Sequence, residues 1–245
     1  AIYGSRGSSG VIIVTTKGGT SGELKLTYNG QVASASILNR IDIMNPTEFK
    51  AAGGADLGAE TDWTEAVTRN AISQIHNIAA SGGFGNTTFR VSANIRENEG
   101  IVLNTGFEQF NSRASISTKA LNDKLKIDFN ASFTKRDSDF GEPLVLKYAT
   151  LFNPTAPIYT EGSSFFPGNS GDPIGGYFET FGLFDSYNPV SIAEQFQVTG
   201  GRTELNYNLS LGYDFSDSFN IQLRAAKQSS QNSSRSYVPV TALLY

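Results

Sequence analysis

The sequence predicts an all-β fold, an antiparallel transmembrane β-barrel, and three features indicate it. Apolar and polar residues alternate along several runs of the chain. Many of these runs reach about ten residues or more, the length of a membrane-spanning strand, whereas strands of water-soluble domains most often have about 5 to 6. Short and long connections also alternate between the runs, as the turns and loops of an outer-membrane barrel do.

The alternation defines the individual strands. Five runs show it clearly, and their apolar members are Leu24, Leu26, Tyr28 and Val32; Phe89, Val91, Ala93 and Ile95; Leu125, Ile127, Phe129, Ala131 and Phe133; Leu205, Tyr207, Leu209, Leu211, Tyr213 and Phe215; and Phe219, Ile221, Leu223 and Ala225. The run Phe110 to Ala120 is weaker. We assign Ile72 to Ala80 as a strand mainly because one is needed between its neighbours.

The connections give a separate indication of topology. Those after the second, fourth and sixth strands are short, at 81–86, 121–123 and 216–218, whereas those after the first, third and fifth are long. Tight periplasmic turns and extended external loops produce this order in a barrel, and a β-sandwich has no reason to keep it. Within the first long connection, Asn45-Pro46-Thr47-Glu48 predicts a capped helical turn.

Composition agrees with this fold and excludes other classes. The 245 residues include 17% charged residues, below the roughly 25% usual for soluble domains, together with 25 glycines and 11% aromatic residues. The net charge of −4 argues against a nucleic-acid-binding protein. The absence of cysteine excludes disulfides and thiolate metal sites. No stretch approaches the ~20 apolar residues of a membrane-spanning helix. The start at Ala1, with neither Met nor a signal segment, suggests a mature or truncated start.

Catalytic, metal and cofactor sites are not expected. His76 is the only histidine, and no nucleophile or zinc motif accompanies it. We assign His76 a structural or lumen-facing hydrogen-bonding role. The acidic pairs Asp137 with Asp139 and Glu60 with Asp62 fit solvated loop positions, although carboxylates at a suitable separation could hydrolyse glycosides.

The N-terminal residues carry a family resemblance. Gly4, Gly7 and Gly10 precede the apolar run 11–14, so they do not match a nucleotide-binding loop, in which the glycines follow a strand. The stretch 1–17 resembles the end of the plug domain in SusC/RagA-type TonB-linked outer-membrane transporters. Further pieces resemble the family in the same order: Thr61-Asp62-Trp63, Gln74-Ile75-His76-Asn77, Ser81-Gly82-Gly83, Asn153-Pro154-Thr155-Ala156-Pro157-Ile158-Tyr159 and Asn188-Pro189-Val190.

This resemblance implies a domain division. Residues 1–19 would be the C-terminal end of the plug domain. Residues 20–245 would be the N-terminal part of the barrel, with about seven or eight strands of a larger barrel. The extracellular loops would lie at about 36–70, 98–105 and 137–201.

The resemblance also implies a function. The family imports a nutrient such as an oligosaccharide or peptide across the cell outer membrane. A SusD-like surface lipoprotein closes the external face, and the TonB complex acts through an N-terminal region that lies outside this chain. On this interpretation Ile127, Phe129, Leu209 and Leu211 contact outer-membrane lipid. The lumen-facing candidates are Arg90, Arg96, Lys126, Asn130, Glu204 and Asn206.

An aromatic-rich segment supplies the candidates for ligand contact. Seven aromatic residues lie in a Gly/Pro/Asp-rich stretch without strand alternation: Phe165, Phe166, Tyr177, Phe178, Phe181, Phe184 and Tyr187. They could form the packed core of a loop or a lid contact, or they could form a platform for the substrate or a partner, because binding residues concentrate on loops.

Two other functions fit the sequence. One is a soluble secreted or surface β-rich protein that binds glycans or acts as an adhesin, with the same aromatic segment as its platform. The weaker one is a secreted glycoside hydrolase that uses loop carboxylates. Solubility without detergent would favour the first, and glycan cleavage lost on carboxylate substitution would favour the second.

If the segment is a platform, replacing Phe165, Phe166 and Phe181 with Ala should lower substrate uptake or partner retention in the intact transporter, because these rings would contact the substrate or the partner. Uptake assays and co-purification of the partner measure the two effects. Unchanged values in both assays would contradict the assignment.

Overall fold

The computed structural model describes residues 10, 17–160, 176–180, 187–216 and 218–242. Within this part of the chain, seven strands form one antiparallel sheet in which neighbours in space are neighbours in sequence. The strands are β1 (Lys25–Ala35), β2 (Ala71–Phe84), β3 (Thr87–Glu99), β4 (Gly106–Ala120), β5 (Leu125–Asp139), β6 (Gln197–Ser216) and β7 (Phe219–Tyr237). The all-β fold class predicted from the alternation is therefore confirmed. The predicted plug strand at 11–14 lies outside the described residues.

The register of the sheet separates the side chains into two faces. Phe129 of β5 lies opposite Ile116 and Leu209, and the adjacent Asn130 lies opposite Ser115 and Asn208. The same parity continues across the strands, so apolar side chains gather on one side, which we name the apolar face, and polar side chains on the other, which we name the polar face. The apolar face carries Leu26, Tyr28, Ile78, Val91, Ile116, Phe129, Leu209, Ile221 and Leu223.

The apolar face is exposed along the sheet. Leu26 is 70% exposed, Val91 51% and Leu223 64%. No second layer of the described chain covers these side chains, and the described hydrophobic core lies among the loops. Such a surface is far more apolar than a soluble monomer tolerates.

The turn and loop pattern agrees with the sequence prediction, whereas several strand ends differ. β2 continues to Phe84, four residues beyond the predicted end at Ala80, and meets β3 through a turn of only Gly85 and Asn86. β5 and β6 likewise extend to Asp139 and start at Gln197, which shortens the third long connection. The alternation fades at these ends because polar and glycine residues occupy both faces, but backbone pairing continues.

The glycines near the end of β2 have a steric basis. The chain enters β1 by crossing the β2–β3 hairpin, where the Gly83 N–H donates to the Gly22 carbonyl at 2.9 Å. A Cβ atom at Gly83 would lie 2.9 Å from Ser21 Cα, and one at Gly19 would lie 2.4 Å from the Phe89 nitrogen. Only glycine permits this approach, which explains the Ser81-Gly82-Gly83 motif.

His76 lies on the apolar face, away from the residues that are predicted to face the lumen. In the register His76 is opposite Gly30 and Ile95, and it is the next residue, Asn77, that lies on the polar face. Its Nδ1 is hydrogen-bonded to the Tyr28 hydroxyl at 2.8 Å, and its Nε2 is 3.4 Å from Gln74 Oε1. The ring therefore joins β1 to β2 and has the structural role that the sequence left open.

Four short helices lie in the described parts of the long connections: α1 (Pro46–Ala51), α2 (Trp63–Ala66), α3 (Val145–Leu151) and α4 (Pro189–Gln195). The predicted cap at Asn45 is present as a complete capping box, in which Asn45 and Glu48 exchange hydrogen bonds of 3.0 Å. Asp62 caps α2, and Asn188 caps α4. Among the described helices, none has the length and apolar content needed to cross a membrane.

Phe129→Arg or Leu209→Arg should destabilise the folded protein by on the order of 2–4 kcal/mol, because each places a charge at mid-strand on the apolar face. Asn130→Arg and Asn208→Arg are matched controls, since these residues lie one position away and oppose each other in the same ladder. Folding titrations into lipid bilayers measure the difference. Equal losses for both pairs would contradict the assignment of the faces.

Candidate functional site

The six predicted lumen-facing residues share the polar face. Arg90 and Asn130 both lie opposite Ser115, and Glu204 and Asn206 lie opposite Thr134 and Ser132. The other two predicted lumen-facing residues are Arg96 and Lys126. Arg96 lies opposite Gln109, and Lys126 lies opposite Lys119 and Gly212. The sheet thus brings together residues from β3, β5 and β6 that are over 100 positions apart in sequence. That they face a lumen stays a prediction.

A ladder of amide side chains crosses the polar face. Asn94 donates to Asn77 Oδ1 at 2.7 Å, and Asn111 donates to Asn94 Oδ1 at 2.8 Å. The Thr134 hydroxyl extends the ladder to β5 by donating to Asn111 Oδ1 at 3.0 Å. Next to it lies a depression of about 460 Å³ whose lining includes Arg90, Ser92, Arg113 and Ser132. This surface presents hydrogen-bonding groups and positive charge rather than apolar contacts.

The long connections meet in a second candidate region at one end of the sheet. Its buried side chains, which we name the loop core, are Trp63, Val67, Val145, Tyr148, Ala149, Phe152, Ala156, Tyr177, Val190, Ile192, Ala193, Phe196 and Ala242. Trp63 is only 1% exposed and packs edge-on against Phe152, with ring centroids 4.9 Å apart. Its Nε1–H donates to the Asn153 carbonyl at 2.9 Å, so the ring nitrogen is satisfied.

The Asn153-Pro154-Thr155 motif ties the first long connection to the third. The fully buried Thr155 donates from Oγ1 to the Ala55 carbonyl and accepts from the Leu57 N–H, both at 2.9 Å. Asn153 donates to the same Ala55 carbonyl at 2.9 Å. Thr61 adds a bond of 2.7 Å to the Ala156 carbonyl. Two pieces of the sequence resemblance are therefore joined in space.

Asn188 is the second buried polar junction. Its side-chain amide donates to the carbonyls of Ile158 at 2.8 Å and Phe178 at 2.9 Å, and its Oδ1 accepts from two N–H groups of α4. Its own N–H donates to Glu179 Oε2 at 2.8 Å. One side chain thus fixes the start of α4 against two other segments.

Glu179 has an unusual electrostatic environment. It is 2% exposed, and burial raises the pKa of its carboxyl to about 7, although the bonds from Asn188 and Ser191 oppose that rise. No pattern in the sequence singles out Glu179, because it lies in an irregular segment. Its role could be recognised only from the packing of α4.

Three of the aromatic residues predicted to contact a ligand or partner, Tyr177, Phe178 and Tyr187, lie in the described part of the loop region. Tyr177 is 8% exposed and donates to Glu194 Oε2 at 2.5 Å; burial and this carboxylate raise the Tyr177 pKa. Phe178 packs partly buried against the loop core, and Tyr187 packs edge-on against Tyr148 at 5.3 Å. This placement favours packing over ligand contact for these three. Four candidates lie outside the described residues: Phe165, Phe166, Phe181 and Phe184.

Two of the four candidate catalytic carboxylates, Asp62 and Asp137, have structural partners. Asp62 caps α2 and pairs with Arg40 at 2.6 Å, and Asp137 pairs with Lys135 at 2.9 Å. Among the described residues, no group of three or more His, Cys, Asp or Glu side chains could hold a metal ion.

Comparison with known proteins identifies relatives by sequence. The TonB-dependent receptor SusC of Bacteroides thetaiotaomicron is 34% identical over 171 residues, which cover 65% of this chain and 17% of that receptor. TonB-dependent receptor P3 of Formosa agariphila is 26% identical over 260 residues, covering 99% of this chain and 25% of the receptor. The chain therefore spans about a quarter or less of their lengths. No family model matches the chain.

Comparison with solved structures supports the fold. The RagAB peptide transporter matches 95% of this chain and 31% of its own chain, with a TM-score of 0.70 and 17% identity. RagAB in its open-open state gives a TM-score of 0.69. These relatives are receptors and transporters rather than enzymes. The resemblance to SusC/RagA-type transporters that the sequence indicated is confirmed.

The loop core should loosen as pH rises. Glu179 has a folded pKa of about 7 against an ordinary value of 4.5, so its neutral form stabilises the fold fully below pH 4.5, and this contribution is lost as pH rises through 7. The total change is on the order of 3 kcal/mol. Hydrogen exchange of the Asn188 amide in the full-length protein should therefore accelerate, beyond its intrinsic pH dependence, between pH 5 and pH 8.

Glu179→Gln should remove this pH dependence because the amide stays neutral. Glu48→Gln, at an exposed helix cap, is the control and should leave the Asn188 profile unchanged. Identical profiles for the native protein and Glu179→Gln would show that Glu179 does not titrate in this range.

Proposed function

We propose that this chain, a segment related to the SusC/RagA-type TonB-linked transporters, forms part of the wall and outer loops of an importer in the cell outer membrane. The importer takes up a nutrient such as an oligosaccharide or a peptide. The apolar face contacts lipid, and the polar face lines the lumen and faces the plug.

One observation carries this proposal: a single sheet leaves its apolar rows exposed on one side and its polar rows on the other. In hydrocarbon, every backbone N–H and C=O must be paired within the protein, and the strand ladders do this without a second layer. A soluble glycan-binding protein would have to cover rows such as Leu26, Val91 and Leu223. The lipid-exposed arrangement needs no such cover.

The domain division follows from the same proposal. Residues 1–19 are the end of the plug, and residues 20–245 are the start of the barrel. The path of residues 19–22 supports the boundary, because this segment crosses the β2–β3 hairpin before β1 begins. Lys17 lines the same depression as Arg90 and Arg113, which supports an approach of the incoming chain along the polar face.

The outer loops provide the surface for a partner. We assign a SusD-like surface lipoprotein to the loop side, and the TonB complex to the plug side through a region beyond this chain. The similarity of the fold to the RagAB peptide transporter supports this assignment. The loop core gives the partner a rigid support, because it joins all the helices except α1 through buried contacts.

Uptake by cells that carry the complete transporter should require TonB, and Trp63→Ala should lower it. Truncating this buried ring costs about 3–5 kcal/mol and should disorder the loop core. The barrel should still fold, because Trp63 belongs to α2 in the loop core and lies outside the strands. Radiolabelled substrate uptake, co-purification of the lipoprotein and the heat-dependent gel mobility of the barrel separate these effects.

Thr64→Ser is the matched control, since Thr64 lies next to Trp63 in α2, is half-buried and keeps its hydroxyl in this variant. It should leave all three measurements unchanged. Uptake that persists in cells without TonB would refute the proposed function. Normal co-purification with Trp63→Ala would refute the assignment of the partner to the loop side.

A further inference from the structure

We infer that Arg96, Phe107 and Arg136 on the polar face form a binding site for a carboxylate group of the imported ligand. The inference rests on the proposed function, and it narrows the substrate class to acidic oligosaccharides or peptides with acidic side chains. We name these three residues the arginine clamp.

The geometry of the clamp places two guanidinium groups on one aromatic ring. The guanidinium carbon of Arg136 lies 3.8 Å from the centre of the Phe107 ring, and that of Arg96 lies 5.0 Å from it. Both distances are within the range of a cation–π interaction. The strand register aligns them, because Arg96 and Arg136 both lie opposite Gln109 on β4.

Arg136 is held in place by a further contact. Its Nε–H donates to the Ser138 hydroxyl at 3.1 Å, and Ser138 is only 7% exposed. A contact of the guanidinium carbon with a ring leaves other N–H groups of the guanidinium free to donate. Fixed donors of this kind lose little conformational freedom when they bind a carboxylate in a bidentate geometry.

The clamp also has an unbalanced charge. Neither Arg96 nor Arg136 forms an ion pair within the described part of the chain, whereas Arg202, opposite Arg136 in the same row, pairs with Glu204. The carboxylates next in sequence, Glu97 and Asp137, belong to the alternate row and so to the opposite face. Two unpaired cations in one row attract an anionic group from the lumen.

The position of the clamp suits a ligand on its way inward. Arg96 and Phe107 lie within three residues of the loop-side ends of β3 and β4. The amide ladder of Asn77, Asn94 and Asn111 lies in the next row of the polar face towards the periplasmic turns. A ligand that enters past the loop core would meet the two cations first and then the amides, which can bind hydroxyl or peptide groups.

Binding of matched probes to the purified complete transporter tests the inference. Calorimetry would compare tetragalacturonic acid with its methyl ester, and tetraglutamate with tetraglutamine. We expect the acidic member of one pair to bind about tenfold more tightly than its neutral counterpart, and we expect this preference to weaken with added salt. A preference within the galacturonic acid pair would identify the ligand as a sugar, and a preference within the glutamate pair would identify it as a peptide.

Arg96→Gln and Arg136→Gln should each reduce binding of that acidic probe about tenfold and leave its neutral counterpart unaffected. Arg224→Gln removes one positive charge from the same face at β7 and should change neither. No preference for either acidic probe would overturn the inference. So would variants that lower the melting temperature without changing affinity, because the arginines would then pair with plug carboxylates.

The result is independent of import. Binding is measured without TonB, so a transporter with the expected acidic preference but TonB-independent uptake would support the clamp and refute the proposed function. TonB-dependent uptake without any preference for an acidic probe would support the proposed function and refute the arginine clamp.

Discussion

The structure depends on the pairing of backbone N–H and C=O groups within a single layer of β-strands. The strands from β2 to β6 are each bonded to a neighbour on both sides, so the sheet needs no buried core beneath it. Its two faces can then contact different surroundings, one apolar and one polar. β1 and β7 have one described neighbour each, and all their residues with described burial are exposed, which is consistent with a wall that continues beyond the sheet seen here.

The hydrophobic core is consequently displaced to the loops. A loop region must satisfy its polar backbone groups without regular strands, and here Asn153, Thr155 and Asn188 do so from buried positions. Such side chains specify one arrangement of the connections, because any other arrangement would leave them unpaired. Glu179 makes part of this arrangement dependent on proton concentration.

Charged side chains are distributed differently on the polar face of the sheet and in the loop region. The polar face of the sheet carries arginines, of which Arg96 and Arg136 have no acidic partner among the described residues, whereas the loop region carries buried or hydrogen-bonded acids such as Glu179 and Glu194. The acids of the loop region are engaged in holding the loops together, so the donors of the polar face are the groups left to meet a ligand in the proposed importer. In that importer, this division would link the rigidity of the outer loops with the selectivity of the wall.

The sequence by itself determined the sheet, its two faces and its alternating turns, because a period of two residues directly encodes which side each residue faces. It also located the capping box at Asn45 and the motifs around Trp63, Asn153 and Asn188. It left the face of His76 open, since one residue of register decides the side, and it missed the end of β2, where glycines carry no alternation. Only the tertiary structure decided that Thr155 meets Ala55, that Glu179 is buried and that two arginines share the Phe107 ring. These contacts join distant segments or cross between strands, and local sequence patterns hold no information about such distances.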